Sequence, residues 1–362
     1  MNKLFVNPDI AYAETLNKDF YLSENYFQES KQKIFSDSIQ FIGHHSELLN
    51  SGDCLPLNLL PDFLNEPLLI SKDNNGQIHC LSNVCTHRGN VVMKDKCNTQ
   101  HFRCRYHGRQ FELSGKFHSM PEFKEVRNFP TEDDDLKSLP VFNWKNFLFS
   151  SLNGNVASEK FLNEMNAKLS WLPVEEFVYT THLNQEFVVN AHWALYCENY
   201  LEGFHIPFVH AGLNQVIDFS SYSTELFPYS SVQVGVAKED EDCFDLPPGS
   251  PDFGKKIAAY YFFIFPNMMF NFYPWGLSLN IIEPVSVNKT RVKFLSYVWK
   301  ENLLNKGAGS QLTQVEHEDE EIVESVQTGI RSRFYHHGRY SVKHEKGTHH
   351  FHQLICEFMN RE

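Results

Sequence analysis

The chain has 362 residues, with 32 basic and 45 acidic side chains and a formal net charge of −13. That balance excludes the basic surface a nucleic-acid partner requires. No apolar run approaches the ~20 residues of a membrane helix, and the opening Met-Asn-Lys-Leu-Phe-Val-Asn-Pro has no secretory-signal core, so no membrane association and a cytoplasmic location are expected. In that compartment the eight cysteines read as thiols or metal ligands, not as a disulfide framework. The length suits two domains.

Residues 1 to about 40 are polar and aromatic, with helical stretches such as 23–36 and no motif. From about 41 to 150 the pattern changes to short β-like runs at 67–72, 77–83, 110–113 and 147–150. Turn signals at Asp73-Asn74-Asn75-Gly76 and Ser114-Gly115 separate them. This is a small antiparallel domain whose chemistry lies in two loops, Cys85-Thr86-His87-Arg88-Gly89 and Cys104-Arg105-Tyr106-His107-Gly108. Two thiolates and two imidazoles, in the order C-x-H then C-x-x-H, are the donor inventory of a Rieske [2Fe–2S] centre. A Cys₂His₂ zinc site is the alternative, although zinc fingers group both cysteines before both histidines and here they alternate. The other cysteines (Cys54, Cys80, Cys97, Cys197, Cys243, Cys356) lack ligand spacing and read as ordinary thiols.

After about 151 the pattern predicts a helix over 161–172, a strand over 179–190, a helix through Trp193, and strands at 260–265, 268–272, 277–282 and 292–298. Between them Lys238 to Gly254 is acidic and rich in Pro and Gly, and reads as a mobile loop over or near a pocket. Residues 305–310 read as a shorter linker. On helical spacing Glu198, Glu202 and His205 share one arc, while Trp193, Cys197, Tyr200 and Phe204 face a core. Pro207 should end that helix at Ile206, leaving His210 free to return beside His205. Two histidines so placed are two-thirds of a 2-His-1-carboxylate iron site; a solvated helix face is the other reading. A last helix over 312–331 carries Val315, Ile322, Val323, Val326 and Ile330 as an apolar stripe with Asp319 inside it. A carboxylate there needs a metal, a basic partner or backbone N–H groups to offset its desolvation. Glu316, Glu318, Glu320, Glu321 and Glu324 are expected on the flanks or the solvated face.

The two Cys/His loops, with Arg-Gly after the first His and Tyr-His-Gly completing the second, resemble the Rieske signature of the ring-hydroxylating oxygenase family. So does the run from Glu198 and Asn199 through Glu202 and His205 to His210. One departure is Arg109, where many members have Trp. The resemblance implies an α+β fold. A small antiparallel-β Rieske [2Fe–2S] domain would span 41–150. A helix-grip catalytic domain, an antiparallel sheet with a long C-terminal helix, would be built from 1–40 and 151–362. It implies Cys85, His87, Cys104 and His107 as cluster ligands and His205, His210 and Asp319 as ligands of a mononuclear Fe(II). It makes Glu202 the acid between the centres, where many members have Asp, and places Asn199 near the iron.

The chain has no nucleotide-binding G-x-G-x-x-G. Electrons from NAD(P)H are therefore expected through a separate reductase of flavin/iron–sulfur type. The family further implies a homotrimer in which the cluster of one subunit serves the iron of its neighbour, by a relay of the His107, Glu202, His205 type. Asn271 to Gly276, Gly338-Arg339-Tyr340, His349-His350-Phe351-His352 and the glutamate bridge resemble the choline/carnitine-type monooxygenase branch. That branch implies a small quaternary ammonium substrate, which aromatic faces hold by cation–π attraction; Tyr273 and Trp275 are candidates. The alternatives are hydroxylation or dihydroxylation of an aromatic or other apolar substrate, and a Rieske electron carrier without oxygen chemistry. His349, His350 and His352 read as structural.

Overall fold

The structure, a computed structural model, describes residues 3–154 and 159–361. Its contacts divide the chain into two compact units, Ser36–Val156 and Met1–Phe35 with Ala157–Glu362.

The first unit is antiparallel β throughout. Its largest sheet runs in the order Cys97–Asn98, Asp53–Leu59, Glu66–Lys72, Ile78–Ser82, Ser138–Leu139. The Asp73 carboxylate accepts the N–H groups of Asn75 and Gln77, both at 2.9 Å, and so closes the turn between the third and fourth of these strands. A three-stranded sheet of Phe102–Arg103, Gln110–Phe111 and Phe117–Ser119 holds the second Cys/His loop at its first turn. Cys85 and Cys104 belong to the core with Leu69, Leu81, Phe102, Phe111, Leu113 and Leu136, so both sulfurs are rooted in packed hydrocarbon. Cys54 and Cys97, read as unpartnered thiols, face each other across neighbouring strands with sulfurs 3.0 Å apart.

The second unit is built on one antiparallel sheet of eight strands. These are β1 (Val178–Tyr179), β2 (Gln185–Val189), β3 (Ser223–Phe227), β4 (Ser230–Val236), β5 (Ile257–Ile264), β6 (Met268–Tyr273), β7 (Gly276–Ser286) and β8 (Lys289–Val298). The order is β1-β8-β7-β6-β5-β4-β3, with β2 also paired to β8. Besides helices at Asp19–Leu22, Glu24–Ser30 and Glu159–Lys168, the unit has α1 (Trp193–Tyr200), the short α2 (Ile206–Val209) and α3 (Ala211–Val216), α4 (Leu312–Gly329) and α5 (Lys346–Met359). α1 packs on β7 and on α4, and α4 also packs on β2. β6, Met-Met-Phe-Asn-Phe-Tyr, is buried along its whole length, which explains why it reads as a continuous apolar run instead of an alternation. The N-terminal residues are tied to the end of the chain: Thr15 N–H donates to Gly338 O and Leu4 N–H to Asn360 Oδ1.

Three expectations need correction. The strand expected over 179–190 is two strands, broken by a turn at Thr181–Leu183; Asn184 uses its side chain on Tyr179 and on the Ser296 N–H, which competes with extension. β3 and β4 were not legible because their serines and threonine weaken the apolar pattern. The Lys238 to Gly254 segment is packed down, not a mobile cover: Phe244 lies edge-on to Trp171, and the buried Asp252 pairs with Lys168 at 3.0 Å.

Gly276 opens β7 after a two-residue turn, at φ +148, and an added Cβ would stand 2.2 Å from the Tyr297 carbonyl oxygen. Gly276→Ala is therefore expected to destabilise the protein by about 3 kcal/mol, an overpacking and backbone-strain cost. A lowered thermal unfolding midpoint checks it.

Candidate metal centres

The two Cys/His loops share one backbone frame. In each the cysteine N–H donates to a carbonyl five residues on, Cys85 to Asn90 (2.9 Å) and Cys104 to Arg109 (2.8 Å). In each a glycine four residues on donates back to the cysteine carbonyl, Gly89 at 2.9 Å and Gly108 at 3.0 Å. Both glycines sit at positive φ, +68 and +75, as that tight return requires. The frame brings thiol beside thiol and imidazole beside imidazole: Cys85 and Cys104 are within hydrogen-bond reach, and the His87 and His107 rings are 4.7 Å apart. Burial resists ionisation of Cys104, but the Tyr106 N–H and the Asn90 amide outweigh it and hold the thiol below its usual range. Burial, with His107 and nearby arginines, keeps the His87 imidazole low, and its Nδ1 is buried with no hydrogen-bond partner. A neutral ring with an unsatisfied nitrogen beside paired thiols fits a cluster with sulfur ligands on one iron and imidazoles on the other.

Arg109 is 2% exposed, its guanidinium carbon 5.6, 5.0 and 5.4 Å from the ring centres of Phe111, Phe117 and Phe129. Its charge is met by Asp134 Oδ1 at 2.7 Å. The Asp134 carbonyl also accepts from Arg109 and from the Thr86 hydroxyl, so one residue ties the second loop to the first.

In the other unit, His205, His210 and Asp319 place three ligand atoms within 4.8 Å of one another; among the described residues this is the one cluster tight enough for a single ion. His205 Nε2 and His210 Nε2 are 3.1 Å apart, and Asp319 Oδ1 lies 3.1 Å from the second and 3.6 Å from the first. Behind each ring stands a carboxylate: Glu202 Oε1 at 2.7 Å from His205 Nδ1, and Glu318 Oε2 at 2.7 Å from His210 Nδ1. Each carboxylate fixes the N–H on Nδ1, which leaves both Nε2 atoms and the aspartate oxygen as converging lone pairs. Three lone pairs facing one point fit a cation. The four Cys/His-loop donors are not gathered this closely, which argues against one zinc ion between them.

The local chain course differs from the helical reading. α1 stops at Tyr200, so Glu202 and His205 are not on one helix with Glu198. The Glu202 carboxylate accepts the N–H groups of Phe204 and His205, taking the donors that would have continued the helix. Pro207 then sits in the first turn of α2, where its missing N–H costs nothing, instead of ending a helix. Glu198 lies apart from the triad, 3.0 Å from the buried His352, which also takes the Tyr340 hydroxyl at 2.5 Å.

On α4 the expected apolar stripe is only partly the buried face: Val323 and Ile330 are buried and Val315 lines the cavity described below. Ile322 and Val326 are 38% and 43% exposed, and the buried residues are Glu316, Val323 and Gln327. Asp319 falls on this inward arc beside Glu316. Two of the acids expected on the flanks or in solvent are therefore functional in position. Glu318 orients His210. Glu316 is 4% exposed and accepts the Tyr196 hydroxyl at 2.5 Å, and burial pushes its carboxyl up to about 8. With five acids between 316 and 321, only the α1 and α3 residues that meet each one could separate them.

A cavity of about 760 Å³, counting its open mouth, is bounded by the triad and by Asn199, Glu202 and Glu316. Five tyrosines, Tyr196, Tyr200, Tyr222, Tyr261 and Tyr273, line it, and among the described residues no lysine or arginine does. Trp275 is not part of this wall; it stacks behind Tyr273 at 5.5 Å.

A family model for the ring hydroxylating alpha subunit (catalytic domain) matches residues 169–361, and one for the Rieske [2Fe–2S] domain matches 40–130. The chain is 30% identical to the chloroplastic choline monooxygenase of Arabidopsis thaliana, over 95% of this chain and 82% of that protein. It is 27% identical to the carnitine monooxygenase oxygenase subunit of Escherichia coli (strain K12), over 97% and 95%. Its fold matches a crystal structure of the quaternary ammonium Rieske monooxygenase CntA at a TM-score of 0.79 and 24% identity, covering 98% and 97% of the two chains. It also matches naphthalene 1,2-dioxygenase at 0.74 and 18%, covering 96% and 92%. At these identities the structural matches speak for the fold alone.

Asp134→Asn leaves the Arg109 charge buried without its counter-ion and is expected to cost about 3 kcal/mol, read by denaturant unfolding. Burial raises the Asp134 carboxyl, yet Arg109 and Thr131 hold it below its usual range. The pair's contribution is thus complete above the unfolded carboxylate pKa of about 3.9 and is lost only as pH falls through the lower folded value.

Proposed function

Because the chain belongs to the ring-hydroxylating oxygenase alpha-subunit family, with its Rieske [2Fe–2S] domain, we propose that it hydroxylates a carbon beside the quaternary nitrogen of a small choline-, carnitine- or betaine-like substrate. The protein is a Rieske non-haem iron oxygenase, a terminal component that takes electrons from a separate reductase; we assign that reductase to the NAD(P)H-dependent flavin/iron–sulfur type. The observation that carries the substrate reading is the cavity wall, in which five tyrosines accompany Glu202, Glu316 and Asp319 without any lysine or arginine among the described residues. Aromatic faces attract a cation that has no N–H to donate, and a wall without positive charge does not repel one. The named activities of the choline and carnitine relatives support the same class.

In this reading Cys85, His87, Cys104 and His107 hold the cluster, and His205, His210 and Asp319 hold the mononuclear iron. When bound, the cluster passes electrons singly and the ferrous ion activates O₂. The remaining work falls to the chain's own side chains. Glu202 and Glu318 keep each imidazole in the tautomer that ligates through Nε2. The five tyrosines exclude water and hold the substrate's cationic end, and Asn199 offers an amide on the same wall. Glu202 has a second role, as the link from His205 to His107 of the partner subunit in a homotrimer.

Glu202→Gln is expected to leave both metals bound yet nearly abolish product formation with the reductase; normal turnover would remove its linking role. Glu318→Ala is expected to weaken iron binding by about 10- to 100-fold, measured by chelator competition. Incubation with betaines and aromatic acids should yield aldehyde from the former and no diol from the latter. Metal analysis should give about three irons per chain, against about two for an electron carrier.

A further inference from the structure

Glu316 holds neither metal in the assignments above, yet it is the cavity residue least expected where it stands. It lies one turn before Asp319 on α4, on the wall shared with the tyrosines. One oxygen accepts the Tyr196 hydroxyl, while Oε1 is buried with no hydrogen-bond partner. A buried carboxyl oxygen left bare is costly, and nothing in the fold of this unit requires an acid there; Val323 and Gln327, further along the same face, are neutral. Neighbouring Asp319 and Glu320 oppose its charge, and no lysine or arginine lines the cavity to balance it. With no cation of the chain beside it, the carboxyl, pushed up to about 8, is met by a proton, and a cation entering the cavity can take that proton's place.

We propose that Glu316 is the counter-ion of the substrate, its carboxylate, which has no basic partner on the cavity wall, balancing the positive pole of a trimethylammonium group. This rests on the quaternary-ammonium reading of the cavity and gives it a definite anchor. A quaternary nitrogen cannot hydrogen-bond, so it leaves the Tyr196–Glu316 bond intact and meets the carboxylate through charge alone. In a cavity of low dielectric that interaction is stronger than in water. The tyrosine faces then add a share that does not depend on Glu316. Glu316 is a binding residue here: it acts on affinity, while the triad and its supporting carboxylates set the turnover step.

The test is calorimetric titration of the iron-loaded protein with tetramethylammonium chloride and with tert-butanol, its uncharged counterpart in size. Wild type is expected to bind the cation at least about tenfold more tightly than the alcohol. Glu316→Gln is expected to lose about tenfold for the cation and nothing for the alcohol, and to raise KM for whichever betaine is turned over with little change in kcat. Glu316→Met, a second neutral variant, serves if the glutamine variant does not fold, and should show the same selective loss. Equal binding of cation and alcohol by wild type would sink the quaternary-ammonium reading itself. A wild-type preference that persists in the neutral variants would leave that reading standing and overturn the role of Glu316. A fall in kcat without a rise in KM would also overturn it.

Discussion

Three lone pairs converging on one point are the constraint to which the catalytic unit is built. His205 Nε2, His210 Nε2 and Asp319 Oδ1 repel one another until a cation lies between them, and the rings cannot escape by turning because Glu202 and Glu318 hold their far nitrogens at 2.7 Å. The fold must therefore deliver five side chains from three segments to one place. α4 supplies two acids on adjacent positions, one facing the point and one facing the ring beside it. The α2 region supplies both histidines from the two ends of a four-residue helix. The eight-stranded sheet carries α1 and α4 and contributes Tyr261 and Tyr273 to the cavity wall.

That requirement explains an apparent defect, the early end of α1. A helix continued through Ile206 would keep Glu202 and His205 on one rigid arc, with the carboxylate unable to reach the backbone N–H groups of residues 204 and 205. Ending at Tyr200 lets Glu202 cap the next turn with one oxygen and hold His205 Nδ1 with the other. Its side chain is 16% exposed. Gly203 follows directly, packed so closely on Tyr222 that an added Cβ would stand 2.5 Å from the ring. The break in the helix and the cavity wall are therefore parts of one local packing problem.

What could be read in the sequence followed the range of the interactions involved. The Cys/His loops are closed by hydrogen bonds spanning four or five residues, so their donors and glycines are legible as local text. His205 and His210 are legible for the same reason. The stripe that singled out Asp319 is only half buried: Val323 and Ile330 turn inward, while Ile322 and Val326 are exposed. Asp319 faces inward because Glu316, Asp319, Val323 and Gln327 share an arc, and that arc is mostly polar. Glu318 and Glu316 could not be separated from their acidic neighbours, since what distinguishes them is His210, 108 positions away, and Tyr196, 120 positions away. Spacing along one helix carries no information about a partner on another.

The same limit applies at Arg109. In the sequence it stands only as a departure from the Trp of many family members, with nothing to say where its side chain lies. Its burial shows otherwise: three phenylalanine rings receive it as they would receive another aromatic, through the faces of their π systems. A guanidinium can occupy such a place only if its charge is met, and Asp134 meets it while its carbonyl takes the Thr86 hydroxyl of the first loop. The exchange of Trp for Arg is thus not a single-site change. It links the two Cys/His loops through an ion pair, placing a permanent positive charge in the unit that would hold the cluster, and it makes the carboxylate at position 134 as necessary to the second loop as the arginine itself.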